Sequence, residues 1–226
     1  MRIGRRRRAV AVLAGLGGPA SAVLIGSSSK TDPSAVVAAT VNLAHTVPDG
    51  ASYLVVGIHA FGVSVDISGV TFDGQSMTVI KSAIFTSRST AVCYLANPNA
   101  TTANIVMSFT GSIGGGVGAI AQCFVTASPG AHEDTDVDSG NPTTSVSVVL
   151  TSPGANRLNV SVLMGATAIT SATPGGTGHT KIDQVNITSF DESIALGWQP
   201  VGAGDTALSW SVAPSQAWGL RAATLP

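Results

Sequence analysis

From Val36 onward, apolar and polar residues alternate with a period of two in short runs separated by turn residues, the pattern of half-buried strands. Val41, Leu43 and Val47 alternate with Asn42, Ala44 and Thr46, and Pro48-Asp49-Gly50 ends the run. Tyr53 to His59 is more continuously apolar and suits a central strand that His59 closes. Val70-Thr71-Phe72 and Met77-Thr78-Val79-Ile80 flank Asp73-Gly74, a dipeptide that accepts the positive φ angles of a tight hairpin turn. Further strands are predicted over 91–95, 104–109, 117–126, 144–150, 158–163, 180–188, 193–198, 207–212 and 218–225. Helical periodicity is sustained nowhere.

So many short strands, in a chain with 26 Gly and 11 Pro, predict an all-β antiparallel sandwich or barrel. No repeat of about 20 to 50 residues marks a solenoid or propeller. The longest mid-chain loop is expected from His132 to Pro142, so residues 33–226 read as one continuous domain. The rival arrangement is a pair of immunoglobulin-like units meeting at that loop.

Composition changes this picture in one respect. Only 10% of residues are charged against 44% hydrophobic, so Ser, Thr, Asn and Gly must cover much of the surface. A chain so weakly charged suits a molecule packed against partners in an assembly; a neutral β-protein without a partner has the same composition. The net charge of −1 hides an asymmetry, because Arg2, Arg5, Arg6, Arg7 and Arg8 hold five of the eleven basic residues. The rest of the chain is mildly acidic, and its scattered Lys81, Arg88, Arg157, Lys181 and Arg221 form no basic cluster of the kind sequence-specific nucleic-acid binding needs.

Residues 1–32 form a basic segment plus linker. Met1 to Ala22 read as a secretory signal, with a basic start, an apolar run from Ala9 to Leu16 and an Ala20-Ser21-Ala22 cleavage site. If retained, the same stretch is an extended arm whose arginines dock on an acidic neighbour, or a solvated end. Ser27 to Pro33 reads as a polar linker, and no run is long and apolar enough to span a membrane as a helix.

Candidate chemistry is sparse. No nucleophile elbow, phosphate-binding Walker loop, H-E-x-x-H or C-x-x-C motif occurs, and no cofactor is implied. Gly175 to Lys181 is glycine-rich but lacks a G-K-[ST] ending, so it reads as a flexible loop. His45 shares the apolar parity of its strand and reads as a core or edge residue, while His132 and His179 fall in loops. Hydrolysis would require one of these histidines beside an acid and a nucleophile, and a glycosidase would need two convergent carboxylates, for which the chain offers only Glu133, Glu192 and turn-type aspartates. Asp134, Asp136 and Asp138 alternate before Gly140 in the manner of a calcium loop, but Ser139 intervenes and no closing Glu follows; the competing reading is a solvated acidic loop. Trp198, Trp210 and Trp218 suit sugar stacking if exposed and core anchoring if buried, and the small aromatic content favours the core. Cys93 and Cys123 lie in different predicted strands and read as buried thiols, with one disulfide as the alternative.

Three segments carry a resemblance: Gly69-Val70-Thr71-Phe72-Asp73-Gly74-Gln75-Ser76-Met77-Thr78, then Ala91-Val92-Cys93-Tyr94-Leu95-Ala96-Asn97-Pro98, then Ala103-Asn104-Ile105-Val106-Met107-Ser108-Phe109. Their order resembles the jelly-roll sandwich proteins, similar in form to concanavalin and laminin-G domains, found among tailed-bacteriophage virion proteins and uncharacterised bacterial proteins. Phe72 and Asp73 stand where that pattern has Tyr and Asn, and the likeness covers about residues 50–126. It implies a jelly-roll-like fold with no catalytic residue to carry over, and a virion-surface role as a capsid-decoration or minor tail protein. Other virion proteins and further copies of the chain would be its partners, and Arg2 and Arg5 to Arg8 its docking arm. The alternative is a secreted bacterial adhesion or carbohydrate-binding sandwich that meets a host-surface glycan.

Overall fold

A computed structural model describes residues 22–32, 39–85, 87–151, 156–187, 191–201 and 206–226. The basic residues Arg2, Arg5, Arg6, Arg7 and Arg8 and the start of the signal-like segment lie outside them. The described residues contain strands and no helix. They form two antiparallel sheets in a sandwich-like arrangement.

The first sheet holds β1 (Val23–Thr31), β2 (Thr40–Thr46), β3 (Tyr53–Phe72), β4 (Gln75–Ser76), β5 (Thr78–Phe85), β6 (Arg88–Ala96) and β7 (Thr102–Val125). Its path runs β1-β7-β3-β6-β5, with β2 also on β7 and β4 on β3. The expected hairpin forms: Thr71 pairs with Ser76 and Phe72 with Gln75 across Asp73 (φ 48°) and Gly74 (φ 74°). The strand expected to close at His59 does not end there, because β3 continues to Phe72. It bends instead, with register breaks between Phe61 and Ile67 opposite the glycine-rich middle of β7. At that bend Gly111 has φ 79°, and a side chain there would collide with the Ser64 carbonyl. Both halves of β3 and β7 feed one core, with Leu54, Val56 and Ile58 facing Phe72, Ile105 and Met107, so the sheet closes over on itself.

The second sheet holds β8 (Asp134–Leu150), β9 (Arg157–Gly165), β10 (Ser171–Gly175), β11 (Thr180–Ile187), β12 (Glu192–Val201) and β13 (Thr206–Leu225). Its path is β10-β13-β9-β12-β11, with β8 also on β13. It too folds over a core of its own, in which Val148, Leu150, Leu208 and Trp210 meet Leu163, Leu220 and Ala222.

Two expectations are corrected. The polar linker expected over Ser27 to Pro33 is strand as far as Thr31, paired with Ala119 to Ala121 of β7; an edge strand with mostly solvated side chains needs no apolar alternation. The loop expected from His132 to Pro142 is strand from Asp134 onward, since β8 also lies at an edge, paired with β13 alone.

The two sheets repeat one topology at a spacing of roughly a hundred residues, longer than the roughly 20-to-50-residue periods of solenoids and propellers. β3, β5, β6 and β7 correspond to β9, β11, β12 and β13, while β1 and β2 together correspond to β8. Register fixes the equivalences. Tyr53 pairs with Ala96 and Phe124 as Leu158 pairs with Pro200 and Leu225, so Gly57 corresponds to Val162, Arg88 to Glu192 and Tyr94 to Trp198. The units stack through these inner strands, β3 on β9, β7 on β12, β6 on β13 and β1 on β11, an exchange that defines a pseudo-two-fold axis. Tyr53, Val55, Val92, Tyr94 and Phe124 interleave there with Leu158, Val160, Val162, Leu196 and Leu225.

Candidate functional site

The densest polar chemistry lies in that inter-unit layer. The long apolar run of β3 buries His59 completely, and the ring reaches across to Glu192, whose carboxylate opens β12 and is 1% exposed. Nε2 lies 2.6 Å from Glu192 Oε2, and with that nitrogen donating, Nδ1 accepts from the Thr90 hydroxyl at 3.1 Å. Arg88 Nε donates to Glu192 Oε1 at 2.6 Å, and its guanidinium stands 5.1 Å from the centre of the Phe61 ring. Every oxygen of the buried carboxylate is thereby satisfied, the condition under which such a charge is tolerated.

Hydroxyl, imidazole and carboxylate stand in the order used for nucleophilic catalysis. Here the hydroxyl belongs to Thr90, which is 0% exposed near the start of β6, so no substrate reaches it. The cluster binds one unit to the other. The sequence pattern closes a strand at His59 and offers Glu192 only alongside Glu133 as a possible carboxylate, and the separation of 133 residues between His59 and Glu192 hides their contact.

Two further histidines are held in the separate unit cores. His45, on the apolar parity expected of a core residue, contacts Ser29 Oγ through Nδ1 at 2.9 Å and Cys123 Sγ through Nε2 at 3.3 Å. His179, expected in an open loop, is 7% exposed: Nε2 meets Ser161 Oγ at 3.0 Å, Nδ1 donates to the Ser209 carbonyl at 3.1 Å, and Trp210 stands edge-on to the ring. Burial lowers the pKa of both below the ordinary histidine value. His132 lies in the connection between the units, where Tyr94 contacts its Nδ1 and Tyr53 donates to the Gly130 carbonyl at 3.0 Å.

The remaining sequence candidates resolve individually. Cys93 and Cys123 are free; they flank β3 on adjacent rows, about 10 Å apart by strand spacing, beyond the roughly 7 Å a disulfide spans. Trp210 and Trp218 are buried, and the partly buried Trp198 packs on Phe124, so the three rings are core anchors. Asp134 and Asp136 accept from the backbone N–H groups of Thr151 (2.6 Å) and Val149 (3.1 Å), which turns their oxygens toward the chain. Among the described residues no three His, Cys, Asp or Glu side chains converge as metal ligands. A shallow cleft of about 260 Å³ between β1 and β11 is lined by Lys30, Thr31, Asp32, Gln184, Val185 and Asn186.

The residues of the family-like pattern do come together. Asn99 donates from its side chain to Asp73 at 2.9 Å and from its backbone to Gln75 at 3.0 Å, while Asn97 N–H donates to the Ser52 carbonyl at 2.8 Å. The Asp73-Gly74 hairpin is thus tied to the Asn97-Pro98 turn, which gives the pattern an architectural role. No family model matches the chain, and no curated protein matches it. Among the described residues no helix is long and apolar enough to cross a membrane.

Proposed function

We propose that the chain is a non-enzymatic structural protein of a tailed-phage virion, a rigid sandwich displayed on capsid or tail as a decoration or minor tail protein. The observation that carries this reading is the pair of hydrogen bonds from Asn99 to Asp73 and Gln75, which ties the virion-like hairpin to the turn that follows Asn97-Pro98 and makes the pattern a working part of the fold. The polar clusters agree with it, since His59, Glu192, His45 and His179 are spent on holding strands together. Trp210 and Trp218 are buried, which takes both rings away from any aromatic platform for glycan stacking.

Ala22 supports retention of the basic segment as an arm. It is 3% exposed in the inter-unit core, so cleavage after it would remove a packed residue. Arg2, Arg5, Arg6, Arg7 and Arg8 would then serve attachment to another virion protein. Particles purified from the lysate that encodes the chain should carry it through density-gradient sedimentation and high-salt washing. Its absence from washed particles by mass spectrometry would overturn the reading.

A further inference from the structure

Residues that correspond in the two units meet at the pseudo-two-fold axis, and there they are unlike. Gly57 of β3 faces its counterpart Val162 of β9: a Cβ on Gly57 would lie 2.7 Å from Val162 Cγ2 and 3.4 Å from Leu196 Cδ1. Arg88 at the start of β6 pairs with its counterpart Glu192 at the start of β12. One pair is complementary in volume and the other in charge. A first unit facing a second first unit would set Arg88 against Arg88 and leave a void between two glycines. Two second units would set Glu192 against Glu192 and Val162 against Val162.

We infer that these two pairs are a recognition code. The inner face of the first unit accepts the second unit and rejects a copy of itself, so copies of the chain do not associate through their inner faces. The physical basis is ordinary: like charges in a desolvated contact are strongly unfavourable, and both overpacking and voids cost stability. The inference is independent of where the protein resides.

Exchanging the code tests it in the full chain. Gly57→Val alone and Arg88→Glu alone should each lower the melting temperature by about 10 °C or more, the scale of a broken buried pair or a core clash in a chain of this size. Adding Val162→Gly to the first should recover at least half of its loss, and adding Glu192→Arg to the second should recover the share that the Arg88–Glu192 pair carries, but not the share of the His59–Glu192 bond. Should the single variants fail to fold, soluble, cooperatively melting double variants carry the same meaning. Double variants no better than the single ones overturn the code.

A levelled chain (Gly57→Ala, Val162→Ala, Arg88→Met and Glu192→Met) makes the facing positions identical. Refolded at high concentration, it should show a several-fold larger fraction of intertwined dimers than the parent by native mass spectrometry. An unchanged distribution also overturns the inference.

Discussion

The Nε2 of His45 lies 3.3 Å from the Sγ of Cys123, and this histidine–cysteine pair is inert. Reactive thiols of this kind need a thiolate, whereas burial pushes the Cys123 pKa up to about 12 and raises that of Cys93 as well. Both thiols should therefore resist a disulfide-exchange reagent in the native protein and react only as the chain unfolds. The labelling rate should follow the denaturant-dependent opening rate. Prompt native labelling of either residue would contradict the packing described.

His45 and His179 set an acid limit on stability. Their folded pKa values are lowered by burial from the ordinary 6.5, so the unfolded chain takes up protons at a pH where the folded chain does not. Their contribution is complete above about pH 7 and is lost as the pH falls through 6.5 toward the lowered folded values. Each ring adds a slope of at most about 1.4 kcal/mol per pH unit. Urea midpoints measured between pH 7.5 and 5.5 should fall, and the slope should flatten in the His45→Gln/His179→Gln variant.

The hairpin at Asp73-Gly74 and the strand alternation were legible because both are local. A turn dipeptide needs only its own φ angles, and a half-buried strand needs only alternate side chains. The repeated topology was not legible, because equivalent positions carry unlike residues: Gly57 against Val162, Arg88 against Glu192, Tyr53 against Leu158. A faint trace survives in Ser89-Thr90-Ala91-Val92-Cys93-Tyr94 and Ser193-Ile194-Ala195-Leu196-Gly197-Trp198, which share Ser, Ala, an aliphatic residue and an aromatic ring in register. The polar edge of β1 carried no alternation to read. The His59–Glu192 contact joins residues on different units, beyond the reach of spacing arguments.

Two glycines with nearly the same backbone angle should respond unequally to alanine. Gly74 (φ 74°) has open space around a built Cβ, so Gly74→Ala costs the left-handed backbone alone, about 1 to 2 kcal/mol. Gly111 (φ 79°) carries the same backbone cost and a collision with the Ser64 carbonyl at the bend that closes the first unit. Equilibrium unfolding should show a clearly larger loss for Gly111→Ala. Equal losses would mean that the β3–β7 bend yields without resistance.

The side chain of Trp210 is fully buried, and its Nε1 donates to Ser161 Oγ at 3.3 Å beside His179. Trp210→Phe keeps an aromatic ring but leaves this small polar cluster one donor short, an expected loss of about 1 to 2 kcal/mol. Trp210→Ala should cost about 3 to 5 kcal/mol through the cavity it opens. Tryptophan fluorescence of the parent should accordingly be blue-shifted and insensitive to added oligosaccharide. A saturable glycan-induced change would instead place a ring at a binding surface.

Asp134 and Asp136 hold the free edge of β8 by accepting from backbone groups farther along the chain, at Thr151 and Val149. Their role then requires an acceptor oxygen and not a cation. Asp136→Asn, which keeps an acceptor, should leave stability nearly unchanged, whereas Asp136→Ala should lose about 1 kcal/mol. Millimolar calcium should leave the melting temperature of the parent where it is, because a site whose oxygens are turned onto the chain offers the ion too few ligands to shift the folded state by mass action. A calcium-dependent rise of several degrees, abolished by Asp136→Asn, would mean that the carboxylates exchange backbone N–H groups for metal.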